Sequence, residues 1–115
     1  MIKAVALLAR KPDLSHDEFV AYYENNHAKL IRRLLPQIRE YRRNYLDRDT
    51  GIGADGAAAP DFDVISEFVF DDRAGYDAML ATHAQPDVAA AIEADEENFL
   101  DRARTRMYVV DTYES

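Results

Sequence analysis

The sequence contains no cysteine. That excludes a disulfide framework, a thiolate nucleophile and any cysteine-based zinc or iron–sulfur site, and it is compatible with a reducing, cytoplasmic setting. Long hydrophobic runs are also missing. No segment approaches the ~20 apolar residues that a membrane span needs, and the run Ile2 to Ala9 is too short and too poorly flanked for a signal peptide. The expectation is a soluble protein with no membrane partner. Histidines number three and are scattered, with no HExxH and no dense carboxylate loop, so no metal site is expected. Basic residues are outnumbered, 14 Lys and Arg against 22 Asp and Glu, for a net charge of −8. No nucleic-acid partner is expected, because counterion release requires a basic surface.

What remains is a chain of 115 residues, 48% hydrophobic, enough for one domain over residues 1–115 with a modest core. Ile2 to Ala9 reads as a strand. A helix follows from about His16 to Arg33, with Pro36 ending it, then a strand from about Ile38 to Leu46. A surface loop, Asp47 to Asp61, leads to a third strand, Val64 to Phe70. Asp71-Asp72 caps a helix from about Arg73 to His83, Pro86-Asp87 opens another, and a last strand covers about Arg104 to Thr112. The order β-α-β-β-α-β, with its second helical region split, predicts an α+β, ferredoxin-like fold with an antiparallel sheet.

Strands one, three and four carry apolar residues on both faces. Helices on one side cover only one of those faces. The other needs a second copy of the chain, since apolar patches of that size are uncommon on monomers, and a face-to-face homodimer is expected.

The densest information lies between Arg10 and Leu30. Pro12-Asp13 breaks the preceding strand, and Ser15 with Glu18 three positions later predicts a capping box that starts the helix near His16. Along the helix Phe19, Tyr23, His27, Leu30 and Leu34 recur at spacings of 4, 4, 3 and 4, one face of a period-3.6 helix. His27 is therefore expected within an apolar stripe. A histidine there serves either as an acid/base group, with a neighbour fixing its tautomer, or as a core residue bonded to a backbone carbonyl.

This stretch resembles the opening of EthD-type domains, named for ethyl tert-butyl ether degradation, of the dimeric α/β-barrel superfamily. The pattern rests on Arg10, Pro12, Ser15, Glu18-Phe19, Tyr22-Tyr23, His27 and Leu30, with Asp95-Glu96-x-x-Phe99-Leu100 similar later. Such domains usually carry proline two residues after the histidine. Lys29 stands there instead, so the helix is expected to run on past His27. The resemblance implies ferredoxin-like subunits paired into a barrel, and a small-molecule pocket that includes His27.

Further candidates surround that position. Tyr41, Arg43 and Tyr45 alternate onto one face of the second strand, facing either the helices, where they would line a pocket, or a partner subunit. Tyrosines there donate to a substrate carbonyl, and the guanidinium stabilises an enolate or phenolate. From Lys29 to Arg48 the local charge is +5, which is either a solvated surface or a sign that one or two arginines turn inward to hold an anion. Asp95 or Glu96 turns inward as a partner for His27 or an arginine, or both stand at the rim of an acidic run with Glu93 and Glu97; the sequence favours the rim. His16 and His83 are expected to be exposed. Gly51 to Gly56 matches GxGxxG, but Pro60 and a strand follow where a helix would have to receive pyrophosphate, so no nucleotide cofactor is expected.

The reading is then a homodimeric protein that binds an aromatic, polyketide or other oxygenated apolar metabolite. Relatives by resemblance include cofactor-free cyclases, dehydratases and monooxygenases. His27 is the catalytic candidate, with Tyr23, Tyr41, Arg43 and Tyr45 placing the substrate. The competing readings are a non-catalytic accessory protein beside an oxygenase pathway, and a structural dimer with His27 in its core.

Overall fold

A computed structural model describes residues Met1–Ser115. Strands β1 (Ile2–Leu8), β2 (Glu40–Tyr45), β3 (Val64–Phe70) and β4 (Arg106–Val110) form one antiparallel sheet in the order β2-β3-β1-β4. Helices α1 (His16–Tyr22), α2 (Ala28–Leu34), α3 (Arg73–His83) and α4 (Pro86–Glu96) pack on one side. This is the predicted α+β, ferredoxin-like arrangement. No helix is long and apolar enough to cross a membrane.

The helix ends follow their local chemistry. Ser15 Oγ accepts from Glu18 N at 3.1 Å, and Glu18 Oε1 accepts from Ser15 N at 2.9 Å, so the capping box forms as read. Pro36 disfavours the helical region for Leu35, which turns to φ −122° and ψ 70° and ends α2. Asp72 Oδ1 accepts from Gly75 N at 2.8 Å and starts α3, while Pro86 opens α4.

One departure from the predicted helix matters for function. Between α1 and α2 the backbone makes a π-helical turn, Tyr23–His27, in which Ala28 N–H bonds Tyr23 O five residues back. Phe19, Tyr23, His27, Ile31 and Leu35 are buried, a steady spacing of four, whereas Leu30 and Leu34 are only half-buried. A spacing of four drifts around an α-helix of 3.6 residues per turn. The wider turn takes up that drift, and so moves the buried stripe after His27 one residue beyond the predicted positions. Lys29 lies inside α2, so the helix does run on past His27.

Register decides which side of the sheet each residue faces. Tyr41, Arg43 and Tyr45 pair with Phe68, Ser66 and Val64, which pair in turn with Ala4, Ala6 and Leu8, all toward the helices. The helices stop short of β4: Met107 and Val109 lie on their side yet remain 42% and 40% exposed. The opposite face carries Val5, Leu7, Ile65 and Tyr108, with an ion pair between Lys3 and Glu67 at 3.2 Å among them. It is therefore more polar than the sequence argument assumed.

Candidate functional site

The site forms where the π-helical turn crosses the sheet. His27 is 3% exposed and packs against Phe99 (ring centroids 4.8 Å apart) and Tyr23 (5.6 Å). Its Nδ1 lies 2.8 Å from Asp95 Oδ2. Asp95 is held in turn: Tyr22 Oη donates to Oδ1 at 2.7 Å, and Asn98 Nδ2 donates to Tyr22 Oη at 2.8 Å. Burial lowers the imidazole pKa below its ordinary 6.5, and the Asp95 contact opposes that without reversing it. The ring is thus neutral at pH 7. A carboxylate accepts, so its contact with Nδ1 assigns the ring's one proton to that nitrogen, and Nε2 takes no hydrogen bond from the protein.

That nitrogen belongs to a residue lining a cavity of about 600 Å³ between helices and sheet. Binding cavities for small molecules typically enclose roughly 300–1,000 Å³ and present few polar groups. Here the walls are Ala6, Leu8, Ile31, Leu35, Ile38, Phe68, Met79, Ile92 and Met107, with Tyr23, His27 and Tyr41 among them. Glu96, Arg102, Ala103, Thr105, Arg106 and His83 complete the lining. Sequence reasoning expected His83 to be exposed, and it is, but it also reaches this cavity.

The candidate residues divide into two groups. Tyr23, His27 and Tyr41 share the cavity. Arg43 and Tyr45 face the helices but lie outside the lining, engaged by Glu24. The guanidinium of Arg43 makes two contacts with that carboxylate, Nε at 2.9 Å and Nη2 at 2.6 Å, and Tyr45 Oη donates to the same group. Those Arg43 hydrogen bonds hold Glu24 below the usual carboxylate range. Of the basic stretch, Arg43 does turn inward, but onto Glu24; Lys29, Arg32, Arg33, Arg39, Arg42 and Arg48 are exposed.

The acidic pair on α4 also departs from expectation. Neither residue stands at a solvated rim: Asp95 meets His27, and Glu96 Oε1 meets Arg102 Nε at 3.4 Å. Burial pushes the Glu96 carboxyl up despite Arg102. Consecutive residues in a helix of 3.6 residues per turn project about 100° apart, so Asp95 and Glu96, the last two of α4, reach different partners.

Sequence reasoning missed Ser66, Glu24 and Arg102. Ser66 left a signal, as the one polar residue in the inward series Val64, Ser66, Phe68, Phe70. It is fully buried, and its Oγ lies 2.7 Å from Tyr23 Oη, which lies 2.6 Å from Tyr41 Oη. Burial raises the Tyr23 phenol to about 12, and Tyr41 shifts the same way for the same reason, so both are un-ionised donors at pH 7.

Comparisons with known proteins agree with this architecture. An EthD family protein from Bacillus halodurans superposes with a TM-score of 0.64 at 18% identity, covering 98% of this chain and 100% of its own. A dimeric ferredoxin-like protein of unknown function from Thermobifida fusca gives 0.59 at 21%, covering 96% and 90%. SnoaB from Streptomyces nogalater, a cofactor-independent oxygenase, gives 0.55 at 15%, covering 99% and 94%. At these identities the likeness is one of fold. Among curated proteins none matches the chain. The EthD domain model matches residues 11–103, a span that holds the capping box, the π-helical turn, His27 and Asp95, and the chain therefore belongs to the EthD family.

Proposed function

We propose that this protein performs acid/base chemistry on an aromatic, polyketide or other oxygenated apolar metabolite held between its helices and its sheet. One observation carries the reading: His27 is held at Nδ1 by Asp95 and keeps Nε2 unpaired on a residue that lines an apolar cavity. Neutral imidazole takes a proton from an acidic position beside a substrate carbonyl, and Asp95 stabilises the imidazolium that forms. The proton is then returned to another atom of the same molecule. Tyr41 places a hydroxyl on the oxygen where negative charge gathers, and the ring of Tyr23 forms the adjoining wall. Arg43 and Tyr45 act through Glu24, which keeps β2 and the π-helical turn in register. None of these steps calls for a cofactor, and a cofactor-independent oxygenase stands among the structural neighbours.

The unit that works is a homodimer. The face of the sheet away from the helices leaves Tyr108 53% exposed beside Val5, Leu7 and Ile65, a surface that a second copy would cover. Dimeric neighbours of the same fold support this.

A native mass spectrum of protein purified without stripping small molecules tests both parts. A dimer carrying a stoichiometric adduct is expected, and the adduct supplies the substrate class for assays. His27→Ala should keep the dimer and the adduct while losing turnover. Binding without conversion by the unaltered protein would make it an accessory metabolite-binding protein instead, and a stable monomer would contradict the assembly.

A further inference from the structure

Three hydroxyl groups stand in a row at the sheet side of the cavity, and their protons can be counted. Ser66 Oγ contacts Tyr23 Oη at 2.7 Å, and Tyr23 Oη contacts Tyr41 Oη at 2.6 Å. Each group carries one proton, and each contact uses one. Three protons serve two bonds, so one is left over.

Burial decides which group holds it. Ser66 and Tyr23 are both 0% exposed, and neither side chain has any other hydrogen-bond partner. A leftover proton on Ser66 Oγ, with the row running inward from Tyr41, would be sealed from water and from every acceptor. Two donors converging on Tyr23 would strand its own proton in the same way. Either arrangement leaves a buried donor unsatisfied and is disfavoured. Tyr41 differs: it is half-buried, it lines the cavity, and its hydroxyl contacts nothing but Tyr23.

We infer that the row runs one way, Ser66 donating to Tyr23 and Tyr23 to Tyr41, so that Tyr41 Oη presents a donor to whatever occupies the cavity. Ser66 is then a positioning residue: it touches no ligand but sets the direction of the row. Each bond in such a chain polarises the next and strengthens the outermost donor. Resting on the pocket proposed above, this sharpens the ligand class. The molecule must place an oxygen acceptor, a carbonyl or a phenolate, against Tyr41, while His27 Nε2 supplies the acceptor for a ligand proton. A ligand that offers a donor to Tyr41 is disfavoured.

The direction is measurable without any ligand, since hydrogens of this kind are observed rather than inferred only with neutrons. In a neutron structure of the full chain exchanged into D2O, deuterium on Ser66 should lie on the line to Tyr23, that on Tyr23 on the line to Tyr41, and that on Tyr41 in the cavity. Deuterium between Tyr41 and Tyr23 that belongs to Tyr41 would overturn the inference. A second arm uses 4-nitrophenol as probe, its binding followed by absorbance. Tyr41→Phe should weaken the phenolate at least tenfold, and Ser66→Ala about threefold to tenfold, with the bound phenol's apparent pKa moved up in both. Equal affinity and equal pKa in all three proteins would also refute the donor role. Failure of the unaltered protein to bind any phenol, with the deuterium positions as expected, would count against the ligand-pocket reading and leave the direction of the row standing.

Discussion

Glu24 and His27 stand three residues apart on the same π-helical turn, yet their hydrogen bonds end differently. Glu24 accepts from Arg43 and Tyr45 at the edge of the fold, and none of the three lines the apolar cavity. His27 is satisfied on one side alone. Asp95, Tyr22 and Asn98 fix Nδ1, and Nε2, on a residue that lines the cavity, takes no hydrogen bond from the protein. A network that closes on itself fixes geometry; one that stops at a cavity wall has an atom to spare for chemistry. Of two polar clusters with similar residue types, the unfinished one is the functional candidate.

That contrast predicts different losses on mutation. The largest falls at the open end. His27→Ala should lower turnover of the substrate class identified by mass spectrometry about 10²- to 10⁴-fold, the usual contribution of a positioned acid/base group, with the circular dichroism spectrum unchanged. Asp95→Asn comes next. The amide no longer selects the Nδ1–H tautomer or stabilises imidazolium, and a loss of about 10- to 100-fold in kcat is expected with KM little altered. The same variant should lower the His27 pKa further in an NMR titration, because the carboxylate is what opposes the effect of burial.

The closed cluster should respond in the opposite sense. Arg43→Met takes two hydrogen bonds from Glu24 and leaves it Tyr45 alone, and denaturant unfolding should show a loss of about 1–3 kcal/mol. Turnover should stay within a few-fold. If Arg43→Met abolished turnover in a stably folded protein, the division between the two clusters would fail.

The smallest effect concerns pH. The native chain binds a proton at His27 less readily than the unfolded chain, whose histidine titrates near 6.5. That residue's share of stability is present above the unfolded value and is lost as pH falls through the lower folded value. Urea midpoints at pH 7.5 and pH 5 should therefore differ less in His27→Gln than in the unaltered protein. An equal or larger difference in the variant would place the charge elsewhere.

The sequence made the scaffold legible because its signals were local. Ser15 and Glu18, Pro36, Asp72 and Pro86 each act within one turn of the chain, and each marks an element end in the structure. His27 was legible for a similar reason, as a polar residue in an apolar stripe. Its partner was legible only as one of two candidates, Asp95 or Glu96, with the solvated rim favoured for both. Asp95 and Glu96 are neighbours at a helix end, and periodicity cannot separate residues where the period itself stops. The π-helical turn escaped because a step of three from His27 to Leu30 kept the stripe on a period of 3.6, whereas the buried residues Phe19, Tyr23, His27, Ile31 and Leu35 keep a steady spacing of four. Tyr41, Arg43 and Tyr45 share a face by alternation, but whether that face ends in a cavity or in a carboxylate depends on Glu24, which comes from another element.

The central claim concerns one proton, and NMR reads it directly. Long-range ¹H–¹⁵N correlation of the histidine side chains at pH 7 should show His27 neutral, with Nδ1 at a protonated, pyrrole-like shift and Nε2 at an unprotonated, pyridine-like shift. An Nε2–H tautomer, or an imidazolium at that pH, would contradict the account, because the cavity would then face a donor where the proposed chemistry needs a base.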